Sequence, residues 1–238
     1  MEAATGVEPI GDFLQQVRAL CDKHGAVFIL DEMITGFRWH LNGAQTYYGV
    51  TPDLTTFGKG IANGFSVAAL AGKREILELG GLFHDKKRVF MISTTHGAEN
   101  ASLAAMRAAL AIYRSEPVIA HLWAIGKSLI DGLNERARAK KISNHFSAYG
   151  VPCSPYFACH DADGKPSMEF RTLFLQELAR HGVLMSYISP SYSHGPEEVE
   201  KTLDAAERAF DVYARALTDG WEHYVEGPVL KPVFRSHN

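Results

Sequence analysis

Five apolar residues in a row, Ala26-Val27-Phe28-Ile29-Leu30, follow a helical pattern and run straight into two acids, Asp31-Glu32. No other stretch constrains the fold as tightly. A continuous apolar run of strand length suits a central parallel strand buried on both faces. Ahead of it, residues 12–24 place Phe13, Leu14, Val17, Leu20 and Cys21 on one helical face, with Asp12 positioned to cap the start and Gly25 to stop the end. Helix, buried strand and then acid is the rhythm of an open α/β sheet, in which ligands sit at the carboxyl ends of the strands.

The rest of the chain fits that class. Leu54-Thr55-Thr56-Phe57 is a short β-prone segment closed by Gly58-Lys59-Gly60, and residues 66–72 read as another buried strand. Residues 99–114 form an Ala-rich helix expected to pack closely against its neighbours, and a long helix covers 117–140. Beyond it, short β-like pieces at 151–159 and 183–188 flank a helix near 170–181. A final helix starts at Pro196 and sets Val199, Leu203, Ala206, Phe210, Tyr213 and Leu217 at spacings of four and three. The expected architecture is α/β: part of a large domain with a mostly parallel sheet over 1–116, then a connecting helix and a small α+β domain over 117–238. Three or so strands are few for a parallel sheet with two edges to protect. Either the sheet is small, or further strands are expected upstream.

Composition narrows the function classes. The 238 residues are 46% hydrophobic and 21% charged with a formal net charge of -3, which gives no electrostatic reason to expect nucleic acid or an anionic membrane as partner. Lys86-Lys87-Arg88 and Lys140-Lys141 are too short to line a groove. Cys21, Cys153 and Cys159 leave an odd thiol and no paired spacing, so neither a disulfide framework nor a zinc knuckle is expected. Cys159-His160-Asp161 has no second ligand cluster at a metal-binding spacing, so no metal is expected. No apolar run approaches the roughly 20 residues that span a bilayer, and no signal peptide is indicated. The expected compartment is the cytoplasm.

Taken singly, an aspartate at a strand end is commonly a turn former, and a lysine is commonly a solvated charge. Asp31 and Lys59 are distinguished by their combination. Asp31 ends a strand read as buried, where an unpaired carboxylate would be costly, so a cationic partner is expected. Lys59 lies between two glycines, which permit close backbone approach and unusual dihedrals. An amine and a carboxylate are what a pyridoxal-phosphate (PLP) site requires, the first to bond the cofactor aldehyde and the second to keep the pyridine nitrogen protonated.

The block Asp31-Glu32-Met33-Ile34-Thr35-Gly36-Phe37-Arg38, then Gly43-Ala44-Gln45, Tyr47-Tyr48-Gly49-Val50-Thr51-Pro52-Asp53-Leu54 and Phe57-Gly58-Lys59-Gly60, closely resembles the signature region of class III aminotransferases, in particular the glutamate-1-semialdehyde aminomutase-like branch. The resemblance covers essentially the whole chain, strongest over about 9–105 and loose after about 140. It implies the PLP-dependent transferase fold type I. It also implies transfer of an amino group between a small amino donor and an aldehyde or keto acceptor, with intramolecular aminomutase chemistry as the alternative.

The same resemblance implies roles for residues. Asp31 corresponds to the acid that pairs with the pyridine nitrogen, and Lys59 to the Schiff-base lysine. Thr95 resembles the threonine that reaches the cofactor phosphate of a neighbouring subunit, which implies a homodimer with a shared active site; Thr94 and Thr95 equally suit the cap of the following helix. Met33 is expected near the ring face or in the core. His194 sits in a polar loop before the last helix, where it either reaches substrate or serves the loop. Trp39 and His40 depart from the aminomutase pattern, so substrate is not carried over from that branch. In the family, the half preceding Asp31 carries the loop that grips the phosphate and the aromatic residue stacked on the ring. Neither is found here. The expectation is a truncated product, a fragment or one part of a split enzyme, holding PLP weakly by itself, or a non-catalytic partner of an intact enzyme.

Overall fold

The computed structural model describes residues 6–89 and 99–231. The chain divides into two compact units, Met1–Ala120 and His121–Asn238.

In the first unit, helix α1 (Phe13–His24) ends at Gly25, whose φ of 62° lets its N–H turn back to the Asp22 carbonyl oxygen. Asp12 occupies the position before the helix, but its carboxylate accepts from the Gln16 side chain at 2.6 Å and does not cap the backbone. Leu14 is buried against Phe28, Leu30 and Val50, with Val17 and Cys21 beside them. Phe13 and Leu20, expected on the same buried face, are exposed. The apolar arc of the helix is wider than the strip it buries.

Strand β1 (Ile29–Glu32) contains the two acids rather than stopping before them. It pairs in parallel with β2 (Leu54–Phe57), setting Ile29 opposite Leu54 and Asp31 opposite Thr56. β2 pairs antiparallel with β3 (Ala69–Gly72), completing a three-stranded sheet in the order β1-β2-β3. Burial of β1 on both faces is not found: Leu30 and Glu32 are buried, whereas Ile29 is 54% exposed and Asp31 is exposed. β3 is mostly exposed as well. The Leu30 side of the sheet carries the small apolar cluster around Leu14. Single turns α2 (Ala44–Tyr47) and α3 (Arg74–Leu77) follow β1 and β3. Helix α4 (Asn100–Ser115) buries only Ser102, so its alanines do not make the close packing expected of them.

One carboxylate ties this unit together. Asp53, just before β2, accepts from Arg18 of α1 at 2.7 Å, from Lys73 after β3 at 2.6 Å and from the Phe28 N–H at 2.7 Å. The Lys73 bond first, then the Phe28 amide and Arg18, hold its carboxyl well below the usual carboxylate range.

The second unit is built on α5 (Val118–Ala139), an antiparallel pair β4 (Phe146–Tyr149) and β5 (Tyr156–Cys159), α6 (Met168–Arg180) and α7 (Pro196–Asp219). Pro196 opens α7, where Glu198 accepts the Gly195 N–H at 2.7 Å. Val199, Leu203, Ala206, Phe210 and Tyr213 are buried, as their spacing predicts, together with Ile125, Leu129 and Leu133 of α5 and with Phe146, Phe157 and Phe174. Residues 151–154 make a turn, Ser154 N–H to the Val151 carbonyl oxygen, so only the end of the 151–159 segment is strand. Residues 183–188 are not a strand. The Val183 N–H closes the end of α6 on Leu178, and Arg171 takes the Ser186 carbonyl oxygen at 2.8 Å. Those backbone groups are committed before a sheet edge could use them.

Candidate functional site

Because β1 and β2 run parallel, their carboxyl ends lie side by side, Asp31 opposite Thr56. After Phe57 the chain passes Gly58 and enters a single 3₁₀ turn, Lys59–Ile61. Lys59 has φ +45°, a left-handed conformation uncommon for a long side chain, and Phe37 (φ 60°) and Asn63 (φ 44°) share that region.

Asp31 Oδ1 accepts two hydrogen bonds, from the Met33 N–H at 2.9 Å and from the Thr56 hydroxyl at 3.0 Å. The Met33 amide foremost lowers the Asp31 pKa; desolvation is the next influence and opposes it, while the Thr56 hydroxyl and then the charge of Lys59 lower it further. The structure thus sets Asp31 and the Lys59 turn at the carboxyl ends of neighbouring strands. It corrects the setting expected for Asp31, which lies on the open side of the sheet and is not a buried acid that depends on a cation.

The buried acid is its neighbour. Glu32 is fully enclosed and accepts from the Thr35 hydroxyl at 2.5 Å and from the Ala44 and Gln45 N–H groups at 2.7 Å each. Gly43, at φ +87°, makes room for it: a Cβ there would fall 2.6 Å from Glu32 Oε1. Strand alternation explains the division of labour, Asp31 outward and Glu32 inward.

Two further contacts brace the lysine turn. A Cβ on Gly58 would fall 2.2 Å from Met33 Cε, so the Met33 thioether occupies the space that glycine leaves open. Tyr113 of α4 donates its hydroxyl to the Gly60 carbonyl oxygen at 3.0 Å and stacks on Phe37, ring centroids 5.3 Å apart. Gly36 passes the Phe57 ring so closely that a Cβ would lie 2.6 Å from it. Glu32, Tyr113 and Asp53 were not foreseen from sequence. The period of two after Asp31 could have revealed Glu32, but nothing local marks Tyr113 as a partner of Gly60.

Of the remaining candidates, Thr95 lies outside the described residues. Met33 touches the site through its amide and its packing on Gly58. His194, in the other unit, closes its own loop: its Nδ1 accepts the Ser191 N–H at 3.3 Å, and its carbonyl oxygen lies 2.7 Å from His121 Nε2. Trp39 is buried, and His40 Nδ1 accepts the Asn42 N–H. Cys159 is buried, which pushes its thiol up to about 12. Among the described residues no group of three His, Cys, Asp or Glu side chains could hold a metal ion, and no helix is long and apolar enough to cross a membrane. A cavity of about 430 Å³ in the second unit is lined by Ile125, Met185, His194 and Thr202, and one of about 420 Å³ in the first by Phe37, Asn42, Phe57 and Arg114. Neither is lined by Asp31 or Lys59.

A parallel strand pair with a carboxylate at one carboxyl end and a lysine turn beyond the other belongs, by its fold, with the type I transaminases. The chain superposes on the PLP internal aldimine form of the FumI protein of Sphingopyxis sp. MTA144 with a TM-score of 0.76 and 26% identity, covering 87% of this chain and 48% of that one. An omega-transaminase from Sphaerobacter thermophilus gives a TM-score of 0.71 and 28% identity over 88% of this chain and 50% of the other. A thermostable (S)-enantioselective omega-transaminase from Thermomicrobium roseum, 24% identical with a TM-score of 0.72 and coverages of 87% and 48%, shares the fold. The chain spans about half the length of these proteins. It matches the sequence model of the class-III aminotransferases over residues 3–207 and belongs to that family.

Proposed function

We propose that this chain carries the lysine and the carboxylate of a PLP-dependent aminotransferase site, moving an amino group between a small amino donor and an aldehyde or keto acceptor. The observation that supports it most is the placement of Asp31 and the Lys59 turn at the carboxyl ends of adjoining parallel strands. These donors fit the group. Asp31 stays ionised, as a partner for a protonated pyridine nitrogen must, and Lys59 offers an amine to an aldehyde.

When bound, PLP supplies an aldehyde carbon and a ring that withdraws electrons from the substrate Cα. Asp31 holds the proton on the ring nitrogen. Lys59 would hold the cofactor through Nζ and would take and return the proton at the substrate Cα. Met33 packs on Gly58 beside these groups, and by the family resemblance Thr95 would serve the cofactor phosphate of the neighbouring subunit in a homodimer with a shared active site. In this reading residues 1–116 belong to the cofactor-binding large domain, residues 117–238 form the connecting helix and small domain, and the enzyme works in the cytoplasm.

One narrower reading has its own support: the block from Asp31 to Arg38 resembles the glutamate-1-semialdehyde aminomutase branch, so intramolecular amino transfer is the alternative. Product analysis with glutamate-1-semialdehyde against ordinary amino donors separates it from transamination.

The deciding experiment adds PLP to the chain, reduces with borohydride and maps the adduct by peptide mass spectrometry. Reduced cofactor on Lys59, lost in Lys59→Ala with the fold retained, is the expected result. An adduct that survives the substitution overturns the assignment.

A further inference from the structure

We propose that Thr56 is a positioning residue for Asp31: its hydroxyl and the Met33 amide seize the same carboxylate oxygen, Oδ1, and so present Oδ2 as the oxygen that meets a cationic nitrogen. A carboxylate on an exposed strand face turns readily about χ2, because its terminal torsion is broad. Here two donors from different elements converge on one oxygen, the Met33 N–H at 2.9 Å from the loop after β1 and the Thr56 hydroxyl at 3.0 Å from β2. Among the described residues none donates to Oδ2. Strand register supplies the geometry, since Thr56 is the parallel-pair partner of Asp31 and its side chain lies on the same face.

The two donors are not equivalent. The Met33 amide comes with the turn and is fixed by the backbone, whereas the Thr56 hydroxyl is a side-chain choice that valine would delete at nearly constant shape. Hydrogen bonds to an ionised acceptor are the strong ones, and each favours the charged form. Thr56 thus sets both the direction in which Asp31 points and its readiness to stay ionised beside a protonated ring. The consequence for a ring nitrogen rests on the cofactor reading above; the hydrogen-bond geometry does not.

The test compares wild type, Thr56→Val and Thr56→Ser as the full chain, with carbon-13 NMR of the aspartate carboxyls and Asp31→Asn to assign the resonance. Without cofactor, the Asp31 titration midpoint is expected to rise in Thr56→Val and to return in Thr56→Ser, while Lys59, the charged neighbour, is unchanged in all three. With PLP added, the visible absorption of lysine-bound cofactor is expected to need about three- to tenfold more PLP in the valine variant, the range for one ordinary net hydrogen bond. An unmoved midpoint in Thr56→Val overturns the proposal, as does a serine variant that behaves like valine. Should Thr56→Val not fold by circular dichroism, Thr56→Ala is judged by the same criteria. A shifted midpoint with no PLP bound by any form sustains the positioning of Asp31 and overturns the cofactor reading instead.

Discussion

Gly58 lies directly against the thioether of Met33, so close that a Cβ on the glycine would stand 2.2 Å from Met33 Cε and 2.8 Å from Sδ. The same Met33 gives its backbone N–H to Asp31. One residue therefore touches both the carboxylate and the turn that carries Lys59. Gly58→Ala is expected to push the flexible end of Met33 aside at a cost of about 1 kcal/mol, because a methionine tip moves more easily than backbone. Thermal melting reads the cost, and a shifted Met33 methyl resonance reports the displacement. An unmoved methyl signal would contradict the contact.

Glu32 is expected to matter more for stability than Asp31. Its carboxylate satisfies the Ala44 and Gln45 amides and the Thr35 hydroxyl inside the unit. Glu32→Ala leaves those donors buried and unmatched, for a loss of roughly 3 kcal/mol or more in denaturant unfolding. Asp31→Ala, on the open side, should cost far less. Comparable losses for the two would show that the inward and outward assignments are wrong.

Acid should loosen the first unit through Asp53. Its folded-state pKa is depressed by Lys73, the Phe28 amide and Arg18, so its contribution is present above the ordinary carboxylate value of about 3.9. That contribution is lost as the pH falls below it and the folded carboxyl takes up a proton. Melting temperature followed from pH 7 down to pH 3 should fall less steeply in Asp53→Asn, which lacks the titrating group and starts from a lower stability at neutral pH.

Thiol chemistry should be selective. Cys159 is buried with its thiol pushed up to about 12, and Cys153 is buried too, whereas Cys21 is half-buried. Iodoacetamide at pH 8 is expected to label Cys21 first and to reach the other two only on unfolding. Mass spectrometry of the folded chain finding Cys159 modified as fast as Cys21 would contradict this burial.

Much of this was legible from the residues alone, for reasons that differ from element to element. Helix α7 reads cleanly because a 24-residue amphipathic pattern with Pro196 at its first position has few competing conformations. β2 and the lysine turn were bounded by Pro52 and the two glycines. The apolar run before Asp31 did identify a strand, yet composition cannot say whether both faces are covered, and Ile29 is exposed. Residues 183–188 have the composition of a strand, but strand formation needs a neighbour, and Arg171 had already taken the Ser186 carbonyl oxygen. At the site, Asp31 and Lys59 stood out because motif and strand ends coincide there. The supports from Thr56, Tyr113 and Gly43 became visible only once pairing and folding brought distant positions together.

The two consecutive acids of β1 have a consequence for how this strand can fail. Sliding β1 by a single residue against β2 would exchange its sides, driving the outward carboxylate into the packed interior and stranding the inward one in water. Misfolding by register error would thus erase chemistry and scaffold in one step. The pairing of Ile29 with Leu54 guards both.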